Sequence, residues 1–172
     1  NNDVDDPLIQ GIPFGIGEGT SQLIWNASQH RKAIKRSGIY VNFCAHTIER
    51  FRLKHYFVNN PQENITVVKE PNKTKDEYIN DLLTHKQVIC CEGDGKDSYR
   101  ILESIYCGAT PICPDNFTMR QFLIHLPIIC VKDLSDVKSY EHLDCKIDDL
   151  DDIPYCKLSY WKSEFEKARE LL

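Results

Sequence analysis

Short apolar runs alternate with amphipathic stretches along most of this chain. The runs fall at residues 38–44, 64–68, 87–91, 109–114 and 126–131. Because they are short, continuous and rich in Ile, Val and Cys, we interpret them as buried strands. The stretches between them place apolar residues at helical spacing, at residues 48–58, 74–85, 97–107 and 119–125. This alternation predicts an α/β fold with a mainly parallel sheet that helices cover on both faces.

Polar residues and a glycine mark the predicted helix ends. Thr74 and Glu77 have the spacing of a capping box, in which each side chain bonds the other residue's backbone N–H. Asp97 or Ser98 can cap the helix after the third run by accepting its free N–H groups. Gly108 is placed to end that helix in a left-handed conformation.

We expect one domain over residues 1–172, long enough for a substantial core. Residues 1–17 are expected to be an extended N-terminal segment, either the entry to the domain or a hinge. Residues 158–172 predict a C-terminal helix. Its apolar residues share one side, at Trp161, Phe165, Ala168 and Leu172. We interpret this stripe as core packing rather than as a partner site.

The charge balance and the length of the apolar runs limit the classes of partner. A formal net charge of −5 and a pI of about 5.7 argue against nucleic acid as the main partner. No apolar run reaches the length of about eighteen residues that a membrane helix needs, so no membrane span is predicted in this chain.

The eight cysteines bear on the compartment. Most lie inside or at the ends of apolar runs and are expected to behave as small core hydrophobes: Cys44, Cys90, Cys91, Cys107, Cys113 and Cys130. We therefore interpret the thiols as reduced and the protein as cytoplasmic. Glycosylation sequons leave the lumen of the secretory pathway as an alternative, although such matches arise easily by chance: Asn26, Asn64, Asn72 and Asn116.

No metal site is predicted. No set of Cys and His residues has the spacing of a zinc site. Carboxylates cluster at Asp148, Asp149, Asp151 and Asp152, and such a cluster could bind a cation. A solvated acidic loop is the favoured interpretation.

Candidate binding chemistry lies in the loop and helix after the third run. Because ligands of parallel sheets bind at the carboxyl ends of the strands, the loops after Phe43, Cys91 and Cys113 should meet at one edge. Arg100 and the loop N–H groups can hold a diphosphate, and Glu103 can hydrogen-bond sugar hydroxyls. Helical spacing places both on the side away from the sheet, together with Ser104. The alternative is an ordinary surface ion pair one turn apart.

The helix predicted at residues 48–58 carries several basic side chains: Arg50, Arg52, Lys54 and His55. They form either a second anchor for anionic phosphates or a solvated basic face. His46 lies near the end of the first strand, where a single histidine is more often incidental. No catalytic base is assigned.

Residues 88–112 resemble the donor-binding half of exostosin-like glycosyltransferases with the GT-B fold. The pattern there is an apolar strand, a Gly-containing loop, Asp-x-x-Arg-x-x-Glu, an apolar turn and Gly-x-x-Pro-hydrophobic. This chain supplies Asp97, Arg100, Glu103, Gly108, Pro111 and Ile112 in that register. Residues 12–15, 40–43 and 126–131 agree more loosely. The resemblance implies a Rossmann-like three-layer sandwich, a single half of a GT-B enzyme.

The resemblance also implies a function. A UDP- or GDP-linked sugar would be the donor and a glycan or other hydroxyl group the acceptor, without a metal cofactor. Arg100 would neutralise the diphosphate together with Arg50 or Arg52, and Glu103 would contact the ribose or the donor sugar. The loop directly before Arg100 would approach the phosphates closely. Its candidate residues are Gly93, Gly95, Asp97, Ser98 and Tyr99. In that family an N-terminal domain holds the acceptor, so a separate domain or chain would complete the enzyme.

Two other functions fit parts of the sequence. A non-catalytic α/β interaction module, or an assembly subunit without nucleotide binding, would expose an apolar patch around Trp25 and Phe14. A dinucleotide-binding oxidoreductase is disfavoured, because the loop with Gly93 and Gly95 lacks the third glycine of that fingerprint.

Overall fold

The computed structural model describes residues 15–17, 19–70, 72–93, 95–123, 125–145 and 150–170. Its centre is a sheet of five strands: β1 (Ile39–Val41), β2 (Ile65–Val67), β3 (Gln87–Ile89), β4 (Thr110–Pro114) and β5 (Ile129–Val131). The strand order is β2-β1-β3-β4-β5, and every neighbouring pair is parallel. Each strand lies within one of the apolar runs. The predicted α/β fold with a parallel sheet is therefore confirmed.

The described helices are α1 (Ser21–Ser28), α2 (Ile48–Asn59), α3 (Lys75–Thr84), α4 (Arg100–Cys107), α5 (Phe117–Leu123) and α6 (Leu158–Glu170). Single 3-10 turns occur at Arg31–Ala33, Val137–Ser139, Leu150–Asp152 and Pro154–Cys156. Helix α1 was not predicted, because only three apolar residues mark it in the sequence. None of the described helices has the length and apolar character needed to cross a membrane.

The two faces of the sheet bury separate apolar clusters. Tyr40 points into the cluster beneath α1, α3 and α4, whereas its neighbours Ile39 and Val41 point into the cluster that contains Phe57 of α2. This alternation follows from the two-residue period of a strand. The chain therefore forms the Rossmann-like sandwich that the pattern predicts.

The strand order contains a switch point. From β1 the chain adds β2 on one side, and then crosses over β1 to add β3 on the other side. The connections leave the sheet on opposite faces there, so a crevice opens beyond the carboxyl ends of β1 and β3. This is the general ligand position in open α/β sheets.

The prediction that the apolar stripe of the C-terminal helix packs against the core is wrong in part. Trp161 packs against the core, but the side chain of Phe165 is 61% exposed. Phe165 lies one turn beyond Trp161 on the same side of α6, past the first turn that packs against the core. Leu172 and most of the N-terminal segment fall outside the described residues, as do Asp148 and Asp149 of the acidic cluster.

All eight cysteines are free thiols. Cys90, Cys91, Cys107 and Cys113 are buried, which confirms their role as core residues. Burial raises the pKa of Cys107 to about 12. The same expectation is wrong for Cys44, which is exposed because the chain leaves the sheet after β1 before reaching it.

Candidate functional site

A cleft of about 690 Å³ lies at the carboxyl edge of β1 and β3. Its walls come from the loops after β1 and β3 and from the N-terminal ends of α2, α3 and α4. The lining residues are Asn42, Cys44, His46, Arg50, Lys73, Thr74, Lys75, Tyr78, Gly93, Asp97, Ser98, Tyr99, Arg100 and Glu103. The volume is in the range of small-molecule sites.

The cleft contains most of the residues predicted from the sequence to bind a donor. Arg50, Gly93, Asp97, Ser98, Tyr99, Arg100 and Glu103 all line it. Arg52 lies on the exposed side of α2, opposite the buried Arg50, and does not line the cleft. Gly95 is also not part of the lining.

The guanidinium group of Arg50 is held at the cleft wall without a carboxylate partner. Its side chain is 7% exposed. Its Nε donates to the carbonyl oxygen of Glu92 at 2.6 Å and its Nη1 to that of Cys44 at 3.4 Å. The backbone N–H of Arg50 is capped by the Thr47 hydroxyl. Two carbonyls thus fix the guanidinium group but leave its positive charge without a counter-charge among the described residues.

Arg100 is the first residue of α4 and, like Arg50, has no carboxylate partner among the described residues. Its Nε is buried and has no hydrogen-bond partner among the described residues. No carboxylate there forms an ion pair with it, not even Glu103 one turn along the helix. The alternative of an ordinary Arg100–Glu103 surface pair is therefore wrong.

The N-terminal end of α4 is not capped as predicted. The Oδ1 of Asp97 accepts a hydrogen bond from the backbone N–H of Ser98 at 2.5 Å, one residue too early to cap the helix. The Oγ of Ser98 is buried and makes no hydrogen bond. Tyr99 occupies the cap position, and its side chain makes no capping hydrogen bond. Among the described residues, no side chain is seen to cap this helix end, which carries a partial positive charge and faces the cleft.

Glu103 is buried rather than exposed, at 6%. Its Oε1 accepts from the hydroxyl of Thr20 at 2.8 Å, and its Oε2 accepts from the hydroxyl of Tyr78 at 2.7 Å. Ser104 is also fully buried. The prediction that both lie on an outer face is wrong, because α1 and α3 pack against that side of α4. Each carboxylate oxygen keeps one further acceptor position.

Two lysines line the cleft that were not predicted from the sequence to lie in a binding site. Lys73 and Lys75 flank Thr74, which caps α3 in the predicted capping box with Glu77. Lys73 is ion-paired with Asp81, whereas Lys75 has no ion pair among the described residues. Cations at a helix N-terminus oppose the helix dipole. That local conflict is a signal that could have pointed to them.

Gly93 brings the loop after β3 close to its neighbours. A Cβ atom at this position would lie 2.9 Å from the backbone oxygen of Asp97 and 3.5 Å from Nη2 of Arg50. The same loop is tied to the loop after β4, since the Asn116 amide donates to Glu92 Oε1 at 2.8 Å. As predicted, the loops after β3 and β4 meet at one edge.

Three further hypotheses from the sequence concern His46, an exposed apolar patch around Trp25 and a possible metal site. His46 lines the cleft 3.4 Å from Nη1 of Arg50, but nothing in its geometry assigns it a catalytic role. Trp25 is 56% exposed, as an interaction module would require, while Phe14 lies outside the described residues. In the part of the chain that the structure describes, no group of His, Cys, Asp and Glu residues could hold a metal ion.

Comparison with known proteins leaves the family open. No protein-family model and no curated protein matches this chain. The likeness of residues 88–112 to the exostosin-like glycosyltransferases therefore stays a prediction.

Proposed function

We propose that this chain binds a nucleoside-diphosphate sugar in the cleft and is the donor-binding domain of a glycosyltransferase. The observation that carries the proposal is a pair of cleft arginines, Arg50 and Arg100, that form no ion pair with any carboxylate of the described residues. A buried charge is costly unless it is paired. An anionic ligand in the cleft supplies the missing counter-charge.

The arrangement suits a diphosphate better than a single negative charge. Arg50 approaches the cleft from the first turn of α2, and Arg100 approaches from the start of α4. Guanidinium groups bind phosphate oxygens through paired, charge-assisted hydrogen bonds. The unpartnered hydroxyl of Ser98 and the open end of α4 add donors beside Arg100.

Glu103 gives the cleft an acceptor for hydroxyl groups. Thr20 and Tyr78 hold its carboxylate in place and leave acceptor positions on both oxygens. A ribose or sugar hydroxyl can donate to them. The cleft therefore pairs donors for phosphates with an acceptor for a sugar.

These residues fit the chemistry of glycosyl transfer. When the sugar leaves, negative charge grows on the diphosphate, and preorganised cations stabilise that charge. Arg50 and Arg100 would do so without a metal. We assign the general base and the glycan acceptor site to a separate domain or chain, as the resemblance implies.

A thermal-shift panel tests the proposal. UDP, GDP, ADP, CMP and NAD⁺ are added singly to the protein, each at a concentration well above the expected Kd. We expect one nucleoside diphosphate to raise the melting temperature and its sugar conjugate to do the same, because a ligand that binds only the folded state stabilises it. Stabilisation by NAD⁺ alone, or by none of the five, would contradict a donor site in this chain.

A further inference from the structure

We propose that the nucleobase of the ligand stacks on the ring of Tyr99 at the lip of the cleft. This inference rests on the proposed function and names the part of the site that reads the base end of the donor. Of the large hydrophobic side chains exposed in the described part of the chain, only Tyr99 lines the cleft. Its side chain is 50% exposed.

The position of Tyr99 along the chain ties it to the anion-binding groups. It lies between Ser98 and Arg100, the two residues of the cleft that have a buried polar atom without a partner. A phosphate bound there brings the attached nucleoside close to the intervening residue. The nucleoside then meets an aromatic ring half open to solvent.

The backbone fixes the place from which this ring projects. Tyr99 is in helical conformation, with φ −51° and ψ −30°, and its carbonyl oxygen accepts the backbone N–H of Glu103 at 3.1 Å. The other tyrosine of the cleft, Tyr78, packs against the core and donates its hydroxyl to Glu103. Tyr99 is therefore the more exposed of the two rings and the one that a base at the edge of the cleft would meet.

Stacking on one ring recognises an aromatic base without choosing among bases, since every base has a π-face. Tyr99 should contribute to UDP and GDP binding alike. Inorganic pyrophosphate has no base and should bind independently of the ring. Comparing these ligands isolates the base contact from the phosphate contacts.

Calorimetric titrations of UDP, GDP and pyrophosphate into the parent protein, Tyr99→Ala and Tyr99→Phe test the inference. We expect Tyr99→Ala to weaken the nucleotide that binds by about fivefold to 150-fold, from the usual size of a base–aromatic contact. Tyr99→Phe should retain the affinity, and pyrophosphate should bind all three proteins within about twofold. Equal weakening of pyrophosphate by Tyr99→Ala, or unchanged nucleotide affinity, overturns the inference.

A Tyr99→Trp variant gives a second readout that needs no truncation. Its extra tryptophan emission should be quenched by the nucleotide and not by pyrophosphate, and unchanged emission in saturating nucleotide overturns the base contact. If the parent binds nucleotide and pyrophosphate through Arg100 but Tyr99 has no effect, this inference fails and the proposed function stands. If the parent binds neither ligand, the proposed function fails, and this inference fails with it.

Discussion

At the start of α4, two side chains have buried polar atoms that lack a hydrogen-bond partner in the part of the chain that the structure describes. Among the described residues, the buried side-chain atoms that lack a hydrogen bond include Ser98 Oγ and Arg100 Nε, neighbours at the start of α4. Such atoms are rare in folded proteins, because each one loses its bonds to water without replacing them. Two such atoms in one cleft support the proposal of a binding site there more strongly than the residue types alone do.

Replacing Ser98 with Ala should weaken nucleotide binding without lowering the stability of the fold. The Oγ makes no hydrogen bond in the free protein, so its removal should leave the free energy of unfolding unchanged or slightly increased. Nucleotide affinity should fall about twofold to tenfold, because a typical hydrogen bond contributes about 0.5–1.5 kcal/mol. Urea unfolding and calorimetry measure the two effects. A variant that loses stability but keeps its affinity would contradict the assignment of Ser98 to the ligand.

Helices bring these side chains to the cleft through their N-terminal ends. Helix α2 delivers Arg50, α3 delivers Lys75 and Tyr78, and α4 delivers Arg100. The caps of these helices therefore affect the cleft as well as stability. Thr74 shows this most directly, since it caps α3 and also lines the cleft.

Replacing Thr74 with Ala should lower the free energy of unfolding by about 1 kcal/mol, the usual loss for an N-cap. The variant loses the hydroxyl that accepts the N–H of Glu77. Thr84→Ala is the matched control on the same helix, because Thr84 donates only to carbonyls near the helix end. We expect the control to lose much less stability in urea unfolding, and equal losses would show that the capping box does not stabilise α3.

The sequence predicts elements better than it predicts the surroundings of a helix. Runs such as residues 87–91 predict strands because a short, continuous and largely apolar segment is typical of a buried strand. Glu103 was predicted on an outer face because the pattern of α4 does not reveal α1, which covers that face. The cap of α4 was predicted wrongly for a related reason: the loop before it turns Asp97 toward the backbone of Ser98.

At the scale of the whole molecule, the fold buries four of the eight thiols and partly buries three more. Burial raises the pKa of Cys107 to about 12 and that of Cys156 to about 11, from an ordinary value of 9.0. The folded state therefore keeps protons that the unfolded chain loses above about pH 9. This contribution to stability is complete below pH 9 and is lost as the pH rises toward the folded values.

We expect the free energy of unfolding to fall between about pH 9 and about pH 11, in part because of these thiols. Cys107→Ala should reduce the slope of that fall, since it removes one proton that only the folded state retains. Cys44→Ser is the control, a substitution at an exposed thiol. Urea unfolding at several pH values measures the slope for each protein. The same slope in Cys107→Ala and the parent would argue against this linkage.

We propose that cations of the cleft bind the phosphates of a nucleotide, and calorimetry of Arg100→Ala measures this contribution. The matched control is Arg52→Ala, which removes an exposed arginine outside the cleft and the same formal charge. We predict that UDP or GDP binds the parent and Arg52→Ala alike and binds Arg100→Ala about 10-fold to 150-fold more weakly, from about 1.5–3 kcal/mol for a charged hydrogen bond. Equal affinity of Arg100→Ala and the parent would contradict the account.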